Sequence, residues 1–377
     1  MPFTNLVNEE ITDNQNCFLF IVHRSEFIIF FEVLLSMNQP YNAILIVSFG
    51  GPEGIDEVMP FLENVLRGKN VPRARMVAVS HHYEMFGGVS PINAQNRELI
   101  SALQQELDAH GPHLPVYWGN RNWHPMLADT LRQMKDDGIE RALAFVTSAY
   151  SSYSGCRQYR EDIARAQSEV GADAPQIDKL RVYYNHPGFV EPNVENIRAA
   201  LDRVPEERRG AARIAFTAHS IPMTMATNCN YEAQLLETCR LVVEGLGDMS
   251  DDRWKLVFQS RSGPPTQPWL EPDICDYLKE LKAAGAEDVI IAPIGFISDH
   301  MEVLYDLDTE ARALAEETGL NMIRAATVGT HPTFIEMIRE LIVERMSDAP
   351  VRRALGIYGA SHDICPVDCC MMMKSGV

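Results

Sequence analysis

Five apolar runs, at 41–49, 141–148, 212–219, 254–259 and 288–296, alternate along the chain with amphipathic stretches rich in Glu, Arg, Ala and Leu. Those stretches lie at 92–109, 126–137, 157–170, 191–203, 231–246, 272–284 and 308–318. The runs are short and rich in Val, Ile and Phe, as strands are, and the intervening stretches have helical length. Alternation on this scale predicts an α/β fold, with parallel sheets covered by helices on both faces. Two similar cycles follow one another, each opened by a strand that ends in small or polar residues: SFGG at 48–51 and TAHS at 217–220. The Pro- and Gly-containing stretch 171–188 predicts the boundary between halves at 41–175 and 180–329. A last helix at 332–346, within 330–357, is expected to pack back on the first half.

The chain has 377 residues, 46% of them hydrophobic, enough for two packed domains. Its 33 basic and 52 acidic residues give a net charge of −19 with no Lys/Arg run, which argues against a nucleic-acid partner. Eight cysteines are irregularly spaced. That is no disulfide framework for a chain this long, and it fits a reducing, cytoplasmic setting. Residues 17–37 are greasy, but His23, Arg24, Glu26 and Glu32 interrupt them, and Glu9, Glu10 and Asp13 precede them. Neither a transmembrane helix nor a signal peptide has that pattern. Residues 1–36 are expected to be an extension outside the fold, with Met37 as a candidate start; the competing reading is a short amphipathic anchor on a membrane surface.

Two constellations point to chemistry. Wound as an α-helix, the segment after the strand at 288–296 would carry Asp299, Glu302, Asp306 and Glu310 within a sector of about 80°. Like charges so aligned repel, so they either face water or line a site for cations or protons. Their position at a strand's carboxyl end favours a site, because ligands of open α/β sheets bind there. His219 closes the strand at 212–219 in the same kind of place. An imidazole there is either a structural hydrogen bonder or a proton acceptor and metal ligand. The glycines say less. GGP (50–52) and FGGVSP (86–91) offer tight turns, but neither GxGxxG nor GxxxxGK[ST] occurs, so no nucleotide fingerprint is present.

Seven ordered blocks carry a resemblance. YNAILIVSFGGPEG, MFGGVSPINAQNREL, YWGNRNWHPMLADTL, TSAYSSYSGCRQYRED, FTAHSIP, FQSRSGPPTQPWLEP and GFISDHMEVLYDLDTEA resemble the ferrochelatase family over 41–346, most closely its actinobacterial-type coproporphyrin III branch. The resemblance implies two Rossmann-like domains, a porphyrin cleft between them, and ATP-independent insertion of Fe²⁺ into coproporphyrin III, giving coproheme in haem biosynthesis. A protoporphyrin IX ferrochelatase and a non-catalytic porphyrin or haem carrier are the alternatives. By motif, His219 resembles the residue that binds iron and accepts pyrrole protons, and Glu302 its counterpart across the ring. Asp299, Asp306 and Glu310 would continue an acidic path. Ser90, Tyr153, His82 and Tyr83 match substrate-contacting positions. His82 stands where many relatives carry an Arg, whose bidentate grip on a propionate an imidazole cannot copy; Phe49 replaces a tyrosine found in some relatives. The chain is expected to be a monomer whose partners are the porphyrin and Fe²⁺, with at most peripheral membrane contact.

The tail, 358–377, holds Cys365, Cys369 and Cys370 in DICPVDCC. Read alone, three thiols in six residues are either an unused tail or part of a metal site. An Fe–S cluster needs four thiolates. The resemblance implies a [2Fe–2S] cluster with Cys156 as the distant fourth ligand, and a zinc site is the alternative.

Overall fold

The computed structural model describes residues 40–69, 71–247 and 249–372, so the 1–36 extension lies outside the described residues. From Tyr41 onward the chain forms one compact unit. Strands β1 (Ala43–Ser48), β2 (Val116–Asn120), β3 (Arg141–Val146) and β4 (Gln176–Lys179) make one parallel sheet in the order β2-β1-β3-β4. Strands β5 (Arg213–His219), β6 (Trp254–Gln259), β7 (Asp288–Ala292) and β8 (Asn321–Arg324) make a second, in the equivalent order β6-β5-β7-β8. Every ladder is parallel. The halves therefore repeat one topology, and in each the strand order reverses beside the first strand. That reversal opens a crevice at the carboxyl ends of β1/β3 and of β5/β7.

The principal helices are α1 (Ile55–Val65), α2 (Arg73–Glu84), α3 (Ile92–His110), α4 (Leu127–Asp136), α5 (Gln158–Val170), α6 (Pro187–Leu201), α7 (Tyr231–Leu246), α8 (Ile274–Ala283), α9 (Arg312–Thr318) and α10 (Pro332–Met346). β1, β3 and β7 are buried along their whole length, as strands covered on both faces must be. The inner faces of both sheets share a single core, in which Ile44, Phe145, Phe216 and Ile290 join Phe189 of α6 and Phe334 and Ile338 of α10. The outer faces have cores of their own, Leu127, Leu131 and Ile163 against the first sheet and Leu278, Val303 and Leu307 against the second. α10 packs on both α3 and α6, and the Tyr150 hydroxyl donates to the Ile294 carbonyl (2.9 Å), tying the carboxyl end of one sheet to that of the other.

Three differences from the sequence reading have physical reasons. β2, β4 and β8 are additional strands. Each is short and partly exposed (β4 reads QIDK), so none has the continuous apolar run of a buried strand. The Pro/Gly stretch expected to be a break contains β4 and the start of α6. Pro187 occupies the first turn of that helix, where a missing N–H costs nothing, and His186 accepts a hydrogen bond from Gly188 N (3.1 Å) as its cap. Finally, the α-helix expected to begin at Asp299 begins after His300 and is wound as a π-helix over Val303–Ala311 before α9.

Candidate active site

The π-helix sets the geometry of the acidic row. Its i→i+5 bonding makes a wider turn than the α-helix, and Glu302, Asp306 and Glu310, spaced by four, fall close to one turn apart. Val303, Leu307 and Ala311 alternate with them into the outer core of the second sheet. Asp299 leaves the row. It lies before the helix, and both its carboxylate oxygens accept from Arg324 (3.2 and 2.9 Å) while Thr327 Oγ1 donates to it (3.2 Å). Arg324 also holds Asp308 (2.8 Å). The expected four-carboxylate face is thus three carboxylates, with the fourth used to anchor the segment's start.

His219 ends β5, facing the π-helix. Its Nε2 lies 3.4 Å from Glu302 Oε1, with the two side chains 32% and 45% exposed, so the pair is walled on one side and open to solvent on the other. Its Nδ1 is hydrogen-bonded to the Ser220 carbonyl, which fixes the ring. Tyr231 donates to the His219 carbonyl (3.1 Å), and Gln259, in register with His219 on β6, donates to the Glu302 carbonyl (2.8 Å). His300 Nε2 lies 3.8 Å from Glu302 Oε2. Ser260, just past β6, donates to Asp306 from a left-handed backbone (φ 62°), a strained conformation for a residue with a Cβ.

The electrostatics separate these groups. Burial alone would lower the His219 pKa, but the Glu302 charge and hydrogen bond, the Ser220 carbonyl and Asp306 raise it to about 9. Burial would raise Glu302, but the His219 charge and hydrogen bond, with His300, bring it down to about 2. Asp306 moves the other way. Burial, with Glu302 and Glu310, raises its carboxyl to about 7 against the opposing Ser260 hydrogen bond and His219 charge. Glu310 is raised by burial and by Asp273. Without metal the site therefore holds an imidazolium–carboxylate pair, next to a carboxyl able to gain or lose a proton near neutrality.

The remaining sequence candidates are distributed around this pair. His82 stacks flat on Tyr305 of the π-helix (centroids 3.5 Å, 7° between planes), so α2 of the first half lies against the acidic segment. Burial, with the charges of Arg75 and His81, lowers the His82 pKa. Tyr83 packs on Phe61 and is close enough to Glu302 to feel its charge, which adds to burial in raising the phenol pKa. Phe49 contacts Phe61 from the end of β1. Ser90 is 4% exposed, and its N–H donates to the Pro52 carbonyl (2.8 Å). The two glycine turns interlock there: a Cβ on Gly51 would lie 2.7 Å from that of Ser90, and one on Gly88 (φ 79°) 2.4 Å from Ile55 Cα. Tyr153 sits in a π-helical turn, Tyr153–Arg157, and donates to Glu161 (3.1 Å). His300, Gln259, Ser260, Tyr231 and Tyr305 had no assigned role in the sequence. His300 and Tyr305 lie within the quoted acidic block and Ser260 and Gln259 at a strand end, but nothing in the letters marks a positive φ or a π-turn.

A second constellation forms at the tail. The Cys365 thiol beside Cys156, with Lys179 and Arg160 nearby, holds the Cys156 thiol well below its ordinary pKa against the opposing effect of burial. Cys369 and Cys370 have their sulfurs 3.6 Å apart. All seven described cysteines are free thiols. Among the described residues no helix is long and apolar enough to cross a membrane.

The fold is a twofold-repeated parallel α/β architecture of the chelatase-like type, in which an imidazole faces a carboxylate and an acidic row beyond the carboxyl ends of the second sheet. The chain belongs to the ferrochelatase family, whose sequence model matches residues 41–346. It is 58% identical to the ferrochelatase of Rhodopirellula baltica over 338 residues, 89% of this chain and 95% of that one. It is 54% identical to the coproporphyrin III ferrochelatase of Streptomyces coelicolor over 351 residues, 88% of this chain and 94% of that one. Among solved structures, SirB from Bacillus subtilis with Fe³⁺ aligns at 14% identity with a TM-score of 0.48, over 80% of this chain and 95% of that one.

Proposed function

We propose that the chain inserts Fe²⁺ into coproporphyrin III, releasing the two pyrrole protons and using no nucleotide. The observation that carries this reading is the His219–Glu302 pair, 3.4 Å apart, with Asp306 beside it at a pKa of about 7. Metal insertion exchanges one dication for two protons, so its site needs ligands for the first and acceptors for the second. His219 and Glu302 are the ligands proposed for Fe²⁺, a mixed imidazole–carboxylate set that suits the ferrous ion. In the resting site the proton on His219 occupies the place of positive charge. Fe²⁺ arriving at Glu302 replaces that charge, so the His219 proton passes to Asp306 and the neutral Nε2 binds the ion. As the ion leaves Nε2 for the porphyrin nitrogens, Nε2 takes the two displaced pyrrole protons one after the other and hands each to Asp306. Asp306, which is titratable near neutrality, passes protons outward, and Glu310 continues the path toward Asp273. Tyr83, His82, Ser90 and Tyr153 are the proposed substrate contacts. Asp299 serves this row by holding its start to Arg324.

Coproporphyrin, rather than protoporphyrin, is proposed from the likeness to the coproporphyrin III ferrochelatase of Streptomyces coelicolor. The test is an anaerobic assay with Fe²⁺ and either porphyrin, following loss of the free-base spectrum. Turnover of coproporphyrin III with little of protoporphyrin IX is expected. The reverse preference would refute the substrate, and tight binding of both without insertion would refute the enzyme.

A thiolate-bound metal group, a [2Fe–2S] cluster in the family reading, is proposed for the tail, with Cys156, Cys365, Cys369 and Cys370 as the sulfurs that would hold it. The donor chemistry fits: thiols are gathered from two distant parts of the chain, and Arg157, Arg160 and Lys179 supply positive charge beside them. Such a group would supply a cross-link and, if iron-based, one-electron chemistry.

A further inference from the structure

From residue 351 to residue 372 the chain has neither helix nor strand. It also buries little, since Ile357, Ile364 and Val367 are 81%, 69% and 90% exposed. Apolar burial does not hold it, and its cysteines form no disulfide. Its backbone is nevertheless gripped by arginines. Arg160 donates to the Cys365 carbonyl (3.4 Å), Arg157 to those of Val367 (2.7 Å) and Cys369 (3.0 Å), and Arg352 pairs with Asp363 (3.2 Å).

This grip brings an unassigned residue into the sulfur group. A ring nitrogen of His362 and the sulfurs of Cys365 and Cys369 all lie within 4.8 Å of one another, and Cys156 is near enough to Cys365 to act on it electrostatically. Donors around one tetrahedral zinc, bound at about 2.0 to 2.3 Å, stand about 3.5 Å apart, so a small contraction would close the set. The spacing His362-x₂-Cys365-x₃-Cys369 is short enough for a single loop to wrap one ion. Two more buried thiols lie outside that mutually close group: Cys156, 4% exposed, and Cys370, 6% exposed with its sulfur 3.6 Å from that of Cys369.

We infer that His362 is a metal ligand, joining Cys365 and Cys369 in a mixed imidazole–thiolate set for zinc or an iron centre, with the remaining thiolate drawn from Cys156 or Cys370. This rests on the reading that the tail holds a metal. The full chain is purified anaerobically as wild type, His362→Ala and His362→Cys. Each is checked for folding by circular dichroism, and its zinc, iron and acid-labile sulfide are counted after dialysis against a chelator. His362→Ala is expected to lose more than about tenfold in retention, since even outer contacts to metal ligands are worth that much. His362→Cys is expected to keep the metal with a changed signature: altered absorption and reduced-state electron paramagnetic resonance for iron, altered absorption of the cobalt-substituted protein for zinc. Wild-type retention and spectra in both His362 variants would overturn the inference. Wild-type protein with neither metal would instead overturn the reading on which it rests.

Discussion

Replacing Glu302 by Gln keeps the side chain's shape and removes its charge, so it isolates what that charge does to His219. In the metal-free protein the His219 pKa stands at about 9 against an ordinary 6.5. At about 1.36 kcal/mol per unit, the shift corresponds to about 3 kcal/mol favouring the imidazolium. Glu302 is 45% exposed, so solvent screening reduces the usable coupling to about 1 kcal/mol. The His219 pKa is therefore expected to fall by at least about 0.7 unit in Glu302→Gln, read by NMR titration of the imidazole in metal-free protein. The sign for stability follows. His219, raised on folding, contributes fully below about 6.5 and loses its contribution as pH rises through about 9. Glu302, lowered on folding, contributes above about 4.5 and loses its contribution as pH falls through about 2. The melting-temperature deficit of the variant should be largest between those limits, from about 4.5 to 6.5, and should shrink above about 9. A His219 pKa left unchanged in Glu302→Gln would refute the pairing as the cause of the shift.

Asp306→Asn removes the carboxyl that titrates near 7; steady-state insertion should fall by about 10²-fold, with loss of the limb of the pH–rate profile near neutrality. An unaltered profile would take Asp306 out of the proton path. Arg324→Ala strips the partner from Asp299 and Asp308 together and should cost about 3 kcal/mol in denaturant unfolding, because two partly buried carboxylates lose their pairing. Gly88→Ala places a Cβ against the Ile55 backbone at a positive φ; it should destabilise the chain by more than about 1 kcal/mol in the same measurement. A neutral effect would mean that the turn relaxes freely.

The sequence by itself determined the α/β class, the five buried strands and most helices, because a strand covered on both faces must be a continuous apolar run and a covering helix must carry an apolar stripe. It also identified His219 and the Glu302–Asp306–Glu310 spacing, since residues at the carboxyl ends of such strands are placed by the strands themselves. Edge strands β2, β4 and β8 escaped it, because pairing on one side only demands no apolar run. Pro187 looked like a break and proved to be a helix start, since Pro reads alike at both until the preceding cap is known. The tertiary structure alone decided what long-range contacts create. These are the π-helical winding after Glu302, the diversion of Asp299 to Arg324 twenty-five residues on, the stack of His82 on Tyr305 across the two halves, and the meeting of Cys156 with a tail more than two hundred residues away. Local propensity encodes none of these, because each depends on which surfaces the two sheets bring together around their shared core.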